Sequence, residues 1–267
     1  MIPKIIHYCW FGKGLMPATQ KRYIRAWKVL LPNYQFKCWN ENNFNIGLCE
    51  FTSQAYKEKK YAFVSDVARL HALYTEGGIY LDTDVEILNT FDKYLNNRFL
   101  AAIELYPDFK NYVHLLNEYN QPLDRHMLFP AHGGLSGFAF ASEKQHPLIR
   151  DLLDHYMNKK FEHYGKIFPV IDAVMAQLAL NYGYQYADKE QILEQDIHIL
   201  PSDLFCCMEN NVSSKSILVH RSAHSWLLDT QRKKIYWSLD KLHLLLLYKK
   251  AGKIKRSVIQ AINNILH

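Results

Sequence analysis

The sequence predicts an α/β fold with a mostly parallel central sheet. Short apolar runs alternate with longer amphipathic stretches along the first third of the chain, a pattern typical of β-α-β units. The chain has 267 residues, enough for one large domain with its own core, and its 49% hydrophobic composition is that of a globular protein. Ligands bind at the carboxyl ends of the strands in such sheets, so polar residues that follow a strand are the first candidates for a site.

The first elements follow from the spacing of apolar residues. Residues 4–12 (KIIHYCWFG) form an apolar run typical of a buried strand, and residues 34–40 alternate like a second strand. Residues 17–30 and 53–73 repeat apolar side chains at helical spacing, and each has the length of a crossover helix. The order is therefore strand, helix, strand, helix, which favours parallel pairing of the strands.

Two glycines and two aspartates flank the third predicted strand, residues 79–81. Gly77 and Gly78 form the turn into this strand, and Asp82 and Asp84 follow it directly. Strand alternation would send both carboxylates to the same side of the chain. Two like charges so close raise each other's pKa unless a cation lies between them. The pattern predicts a hard divalent metal with oxygen ligands, magnesium or manganese, and a phosphate bound to it.

The second half of the chain continues the α/β pattern. The predicted strands are 99–104, 133–142, 197–205 and the beginning of 216–226, and the predicted helices are 146–157, opened by Pro147, and 170–183, closed by Gly183. We predict one α/β domain over residues 1–230, followed by a helical tail over residues 231–267.

The tail is basic and amphipathic. Nine Lys and Arg residues lie between positions 232 and 256, against one acidic residue, Asp240. No zinc, helix-turn-helix or RNP pattern accompanies them, so a nucleic-acid partner is not favoured. Two readings stay open: the tail lies on an anionic membrane surface, or it packs on the domain with its basic face in water.

Composition also indicates the cellular compartment. The five cysteines have no C-x-x-C spacing and read as reduced thiols. The N-terminus lacks the apolar region and cleavage site of a signal peptide, and no run approaches the roughly 20 apolar residues of a membrane span. We expect a cytoplasmic protein.

Three segments together resemble a known family. They are "IPKIIHYCWFG", "YAFVSDVARLHALYTEGGIYLDTDVEIL" and "SILVHRSAHSW", in that order, over about residues 1 to 226. These segments resemble the DXD-containing glycosyltransferases of family 32, which are related to the catalytic domain of the large glucosylating toxins. The resemblance implies a GT-A fold for residues 1–230, a nucleotide-sugar donor, manganese or magnesium, and transfer with retention at the anomeric carbon.

The resemblance assigns catalytic roles to four residues of the central segment. It implies that Asp84 ligates the metal, and that Asp82 contacts the ribose or reaches the metal through water. It implies that Asp66 binds hydroxyls of the donor sugar and that Arg69 binds the sugar or the diphosphate. The alternative for Asp66 and Arg69, which are three residues apart, is an ordinary ion pair on a helix surface.

The resemblance also places nucleotide-binding residues at the end of the first strand. Trp10 would stack on the base, with Tyr8 and Cys9 beside the nucleotide. A tryptophan at a strand end otherwise packs in the core, and His7 reads as a core histidine.

The last matching segment would complete the site. By resemblance, His220 joins Asp82 and Asp84 around the metal, and Trp226 closes over the diphosphate. The segment departs from the family at Arg221 and His224, so His220 and His224 compete for one role. His132 stands where the family commonly has Asn, which leaves the acceptor geometry open.

The sequence thus favours a retaining hexosyltransferase. It would move a hexose or N-acetylhexosamine from a uridine diphosphate sugar to a glycan, lipid-linked at the inner face of a membrane, in capsule or lipopolysaccharide synthesis. One alternative is an aspartyl-phosphate phosphatase with Asp82 as nucleophile and Asp84 as general acid. That chemistry needs a later pair of adjacent acids, and the chain has no Asp-Asp pair. The other alternative is a nucleotide-sugar-binding protein without catalysis.

Overall fold

A computed structural model describes residues 1–125, 133–161, 170–208 and 211–221 of the protein. The predictions for the tail (231–267), His132, His224 and Trp226 lie outside these residues. The α-helices are α1 Ala18–Leu30, α2 Glu50–Lys57, α3 Tyr61–Glu76, α4 Pro147–Met157 and α5 Ile171–Ala179. The strands are β1 Ile5–Cys9, β2 Gln35–Trp39, β3 Gly78–Leu81, β4 Val85–Ile87, β5 Phe99–Leu105, β6 Gly133–Leu135, β7 Ala139–Ser142, β8 Gln191–Leu193, β9 Ile197–Leu200, β10 Phe205–Cys206 and β11 Leu218–His220.

The central sheet confirms the predicted α/β class. Its order is β2-β1-β3-β7-β5-β9-β8, with β6 paired to β5. Strands β2, β1 and β3 are parallel, and β5 is parallel to β9. Since β7 is antiparallel to both β3 and β5, these two parallel groups run in the same direction. The sheet is therefore mostly parallel, with β6, β7 and β8 reversed.

Helices cover both faces of this sheet because β3 sends its side chains alternately to two cores. Tyr80 packs in a core that includes residues of α2, α3, α4 and α5. Ile79 and Leu81 pack in the opposite core, which includes Ile24 and Trp27 of α1. Such alternation is what a strand buried on both faces requires.

A small second sheet, in the order β10-β11-β4, brings a late part of the chain beside β3. Strand β11 is antiparallel to β4, and His220 lies opposite Val85. Trp27 of α1 anchors this sheet by donating its indole N–H to the carbonyl of Val85 at 2.9 Å.

Three predicted elements are divided in the structure. The strand predicted over 133–142 is β6 and β7, with residues 136–138 between them. The helix predicted over 53–73 is two helices, because Lys59 adopts a left-handed φ of 60° and ends α2. The N–H of Lys60 turns back to the carbonyl of Ala55 at 2.8 Å, which closes this helix end. The strand predicted over 197–205 is β9 and β10, because Pro201 lies between them and has no N–H for a ladder. No helix of the described ranges is long and apolar enough to cross a bilayer.

Candidate active site

The two aspartates lie on a tight turn between β3 and β4, beside the end of β7. Strand β3 ends at Leu81, so the alternation predicted for Asp82 and Asp84 does not apply. Instead, the N–H of Val85 donates to the carbonyl of Asp82 at 3.1 Å and closes the turn. The N–H of Asp82 donates to the carbonyl of Phe138 at 2.8 Å, which fixes the turn to the residue that precedes β7. A turn, and not a pleat, presents the two carboxylates.

The Gly77–Gly78 turn holds the other end of β3, and His7 supports it from the core. Gly77 and Gly78 have φ of +68° and +115°, a region that side chains disfavour. The indole N–H of Trp39 donates to Nδ1 of His7 at 3.0 Å, so Nε2 carries the proton and donates to the carbonyl of Gly77 at 2.8 Å. His7 is fully buried, as predicted for a core histidine.

His220 joins the two aspartates through the β4–β11 pairing. Its Nε2 lies 3.3 Å from Oδ1 of Asp84. One ligand atom from each of Asp82, Asp84 and His220 can be chosen so that all three lie within 4.8 Å of one another. The imidazole is stacked on the Phe138 ring, with ring centroids 4.5 Å apart and an interplanar angle of 13°. The stack fixes the plane of the imidazole.

The charges of this cluster fit a divalent cation. Burial raises the pKa of Asp82, and the Asp84 carboxylate raises it further. Burial opposes a charged His220, yet the neighbouring carboxylates, Asp84 first, raise its pKa above the usual value. The two half-buried carboxylates thus repel each other, and they favour a positive charge beside them. Two carboxylates and one imidazole suit manganese, and the carboxylates alone suit magnesium.

Asp66 and Arg69 form a buried network with Asp82. On α3, Nη2 of Arg69 lies 3.0 Å from Oδ1 of Asp66 and 3.5 Å from Oδ1 of Asp82. Nη1 donates to the carbonyl of Gly137 at 2.5 Å. Asp66 and Arg69 are only 7% and 5% exposed. The i,i+3 ion pair of the alternative is therefore present, but it is buried and does not lie on a helix surface.

Tyr80 completes this network from the strand below. Its hydroxyl donates to Oδ1 of Asp82 at 2.6 Å, and the Arg69 guanidinium lies 4.4 Å from the centre of its ring. Oδ1 of Asp82 is thus bound by Tyr80 and approached by Arg69. Burial raises the pKa of Asp66 to about 7, although the Arg69 charge opposes the shift. Burial disfavours a charged Arg69, but the charges of Tyr80, Asp82 and Asp66 raise its pKa.

The three residues predicted to bind the nucleotide lie in different environments. Cys9 is 7% exposed in the core, where burial raises the pKa of its thiol, so its side chain presents no ligand surface. Tyr8 is half-buried with its ring edge-on to Trp27, and burial raises its pKa to about 12. Trp10 is half-buried, and its indole N–H donates to the carbonyl of Gly14 at 2.7 Å. Trp10 therefore lies outside the core.

Sequence reasoning missed several residues around the cluster. Tyr80 and Phe138 orient Asp82 and His220, and Gly137 accepts the Arg69 hydrogen bond. Glu104 at the end of β5 and Asp172 in α5 place two more carboxyl groups nearby. The charge of Asp172 raises the pKa of Asp66 and of His220. The available signals were an acid at the end of an apolar strand and an acid at the start of an apolar helix.

Residues 17–100 match the model of the glycosyltransferase sugar-binding region containing a DXD motif. This stretch holds Asp66, Arg69, Asp82 and Asp84, which the structure brings together. The matched stretch is about a third of the chain. This match agrees with the resemblance to DXD-containing glycosyltransferases that the sequence shows. Trp10 and His220 lie outside the matched residues, and the DXD region meets His220 through the second sheet.

One relative of this chain is named a glycosyltransferase. The chain is 34% identical over 125 residues to an uncharacterized glycosyltransferase of Acanthamoeba polyphaga mimivirus. The match includes 42% of this chain and 48% of the relative, so the chain spans about half the length of that protein.

Solved structures show weaker similarities. PaToxG glycosyltransferase is 19% identical, with a TM-score of 0.42 over 67% of this chain and 69% of that one. An active-site mutant of LgtC is 11% identical, with a TM-score of 0.40 over 81% of this chain and 86% of that one. Similarities at this level assign no activity to this chain.

Proposed function

We propose that this protein is a metal-dependent glycosyltransferase that uses a nucleotide sugar. The observation that carries the proposal is the joining of two sets of residues at one sheet edge. Asp82, Asp84 and His220 gather as potential metal ligands, and Asp82 is also bound to the buried Asp66–Arg69 network. A metal-ligand set beside a buried arginine suits a diphosphate and its attached sugar.

Asp84, His220 and Asp82 would hold manganese or magnesium. When bound, the cation supplies positive charge for the diphosphate leaving group. Tyr80 binds Oδ1 of Asp82 and Arg69 lies near the same atom, so we assign Oδ2 to the ligand side, for the ribose or the metal. His220 must lose its proton to bind a metal, because only the neutral imidazole offers a lone pair.

The DXD region and β1 would bind the rest of the donor. Asp66 accepts hydrogen bonds from hydroxyls of the donor sugar, and Arg69 binds the sugar or the diphosphate. Trp10 stacks on the base, and the support is that its indole is half-buried and follows β1. Tyr8 lies beside it. We assign Trp226 to the diphosphate, and we prefer a uridine diphosphate sugar carrying a hexose or N-acetylhexosamine.

We propose transfer with retention, in which the acceptor attacks from the face that the diphosphate leaves. The departing phosphate then takes the proton of the acceptor hydroxyl, so no protein side chain is required as base. Asp66 and the carbonyl of Gly137 fix Arg69, so its charge can stabilise the leaving group without rearrangement. Preorganised charge of this kind contributes more in a buried site than it would in water.

The acceptor we propose is a lipid-linked glycan of capsule or lipopolysaccharide synthesis, at the inner face of a membrane. The support is the basic amphipathic sequence of residues 231–267. Each basic side chain contributes roughly 1 kcal/mol near an anionic surface, so several together give salt-sensitive binding. The test is sedimentation with anionic and neutral vesicles of the full chain and a truncation after Ser238. Equal partitioning of both would refute the membrane contact and leave the transferase proposal intact.

The transferase proposal is tested with a panel of nucleotide sugars and manganese. We expect thermal stabilisation and slow metal-dependent release of nucleoside diphosphate for one uridine diphosphate sugar, and none for guanosine diphosphate sugars. Asp84→Asn should abolish the release. Asp92→Asn is the matched control, because Asp92 binds Tyr34 on another part of the surface. Hydrolysis of phosphomonoesters with no response to nucleotide sugars would instead support a phosphatase. Donor binding without turnover on any acceptor or water would support a binding protein.

A further inference from the structure

A second acidic pair, Glu104 and Asp172, lies beside the proposed donor site. Glu104 is the last but one residue of β5 and is 6% exposed. Its Oε1 accepts a hydrogen bond from the hydroxyl of Tyr106 at 2.9 Å. Its buried Oε2 receives no hydrogen bond from a donor in the described ranges. Asp172 is half-buried in the first turn of α5 and accepts the N–H of Gly137 at 2.7 Å.

The charge of Asp172 acts on Glu104. Burial raises the pKa of Glu104 well above its usual value, and the charge of Asp172 and a hydrogen bond to it raise the pKa further. Two carboxylates can face each other in a buried place only if one holds a proton. A proton on Oε2 of Glu104 would remove this repulsion and let that oxygen, which has no partner in the described ranges, donate to Asp172.

Gly137 connects Asp172 to the donor network. The N–H of Gly137 binds Asp172, and its carbonyl binds Nη1 of Arg69. A Cβ at position 137 would lie 2.5 Å from Cγ2 of Ile171 and 2.7 Å from Oδ1 of Asp172. Only glycine allows α5 to approach this closely. The charge of Asp172 also raises the pKa of Asp66 and of His220.

This arrangement is costly for a purely structural role. A protonated glutamate and a charged aspartate are both desolvated, and apolar residues of the same volume would pack at a lower cost. In return, the N–H of Gly137 holds Asp172 in one orientation while its side chain remains half-buried. A fixed carboxylate with a free lone pair is suited to accept a hydrogen bond from a sugar hydroxyl.

We propose that Asp172, positioned by Glu104 and Gly137, binds a sugar hydroxyl in the active site. The hydroxyl belongs to the donor sugar or to the acceptor, and the inference rests on the proposed transferase function. Glu104 does not touch the sugar and acts through Asp172. The hydrogen bond requires no change in covalent bonding.

The test compares Asp172→Asn, Glu104→Leu and Glu104→Gln with wild type. Dissociation constants are measured for uridine diphosphate and for its glucose, galactose and N-acetylglucosamine conjugates, all with manganese. Transfer to the methyl glycosides of these sugars is measured in parallel. Asp188→Asn is the matched control, since Asp188 also accepts a backbone N–H, from Ser202 at 2.8 Å.

We expect Asp172→Asn to lose roughly 10- to 100-fold, the effect of one hydrogen bond to a charged group. If the hydroxyl is on the donor, the loss is in affinity for the sugar conjugate relative to uridine diphosphate. If it is on the acceptor, the loss is in transfer to methyl glycosides, seen in KM more than in kcat. Glu104→Gln should recover most of what Glu104→Leu loses, because a neutral amide N–H can also donate to Asp172.

Other outcomes would overturn the inference. If folded Asp172→Asn matches wild type in both assays, Asp172 does not bind the sugar. Equal losses for uridine diphosphate and its conjugates would show a general distortion and also refute it. If Asp172→Asn does not fold, Asp172→Ser, which keeps a small oxygen acceptor, replaces it under the same criteria. Absence of metal-dependent nucleotide binding in wild type would refute the transferase itself, a result distinct from the failure of Asp172 alone.

Discussion

Replacing Tyr80 by Phe removes one hydroxyl and tests how Asp82 is held. The ring stays in place, because it is 1% exposed and packs against Phe140 and the Arg69 guanidinium. The lost hydrogen bond, to Oδ1 of Asp82 at 2.6 Å, is charge-assisted, and such bonds contribute about 1.5–3 kcal/mol. Burial raises the pKa of Asp82, and the Tyr80 hydroxyl opposes that shift, so the substitution also favours a protonated Asp82.

The magnitude follows from what remains around Asp82. Nη2 of Arg69 still lies 3.5 Å from the same oxygen and retains part of the orientation, so we take the lower half of this range, about 1.5–2 kcal/mol. That loss corresponds to a rise of roughly 10- to 30-fold in the manganese concentration for half-maximal donor hydrolysis. Melting temperatures should show that the variant is folded.

The matched control is Tyr34→Phe. Tyr34 is also buried, and its hydroxyl donates to a carboxylate, Oδ1 of Asp92, at 2.8 Å. We expect no change in manganese dependence for this variant. An unchanged manganese requirement in folded Tyr80→Phe, or an equal change in both variants, would refute the role of Tyr80 in holding Asp82.

Three further predictions concern the same site. Asp84→Asn should keep the fold and lose on the order of 100-fold in donor hydrolysis at saturating manganese; normal turnover would contradict metal ligation by Asp84. Trp10→Ala should weaken nucleotide binding by about 1–3 kcal/mol in calorimetry, whereas a lower melting temperature with unchanged affinity would mean that Trp10 only packs. The pKa of Asp66, about 7, exceeds that of an unfolded aspartate, so the folded protein holds an extra proton between these values. In metal-free protein, the free energy of unfolding should fall as pH rises through this window, by up to about 1.4 kcal/mol per pH unit, and Asp66→Asn should lack this fall. The measurement is urea unfolding of both proteins at several pH values between 5 and 8. The same change in free energy of unfolding with pH in both proteins would contradict the prediction.

The parts of the site that depend on nearby sequence could be predicted. The Gly77–Gly78 turn, β3 and the two aspartates after it are adjacent in the chain, and their residue types indicate their structure. The break between α2 and α3 could not be predicted, because Lys59 adopts a left-handed conformation without a glycine or proline beside it. The turn at Asp82–Asp84 was missed because β4 begins directly after it and resembles a continuation of β3.

The non-local parts required the structure. His220 was suggested by its place at a predicted strand end and by the family resemblance, but its contact with Asp84 depends on the pairing of β11 with β4. The Glu104–Asp172 pair depends on the close approach of α5 to Gly137. Neither residue lies in a motif, and a lone acid at an element end is common. Local spacing therefore predicts the two aspartates after β3. The position of His220 beside them depends on the sheet topology.

The most direct test of the central claim is manganese binding by wild type and Asp84→Asn, measured by electron paramagnetic resonance with and without uridine diphosphate. Chelator-treated wild type should bind one manganese ion per chain, more tightly when uridine diphosphate is present, and Asp84→Asn should lose most of this binding. His220→Ala should weaken it as well, since its Nε2 lies beside Asp84. Equal manganese affinity in wild type and folded Asp84→Asn, with no effect of uridine diphosphate on either, would contradict a metal-dependent nucleotide-sugar site at this turn.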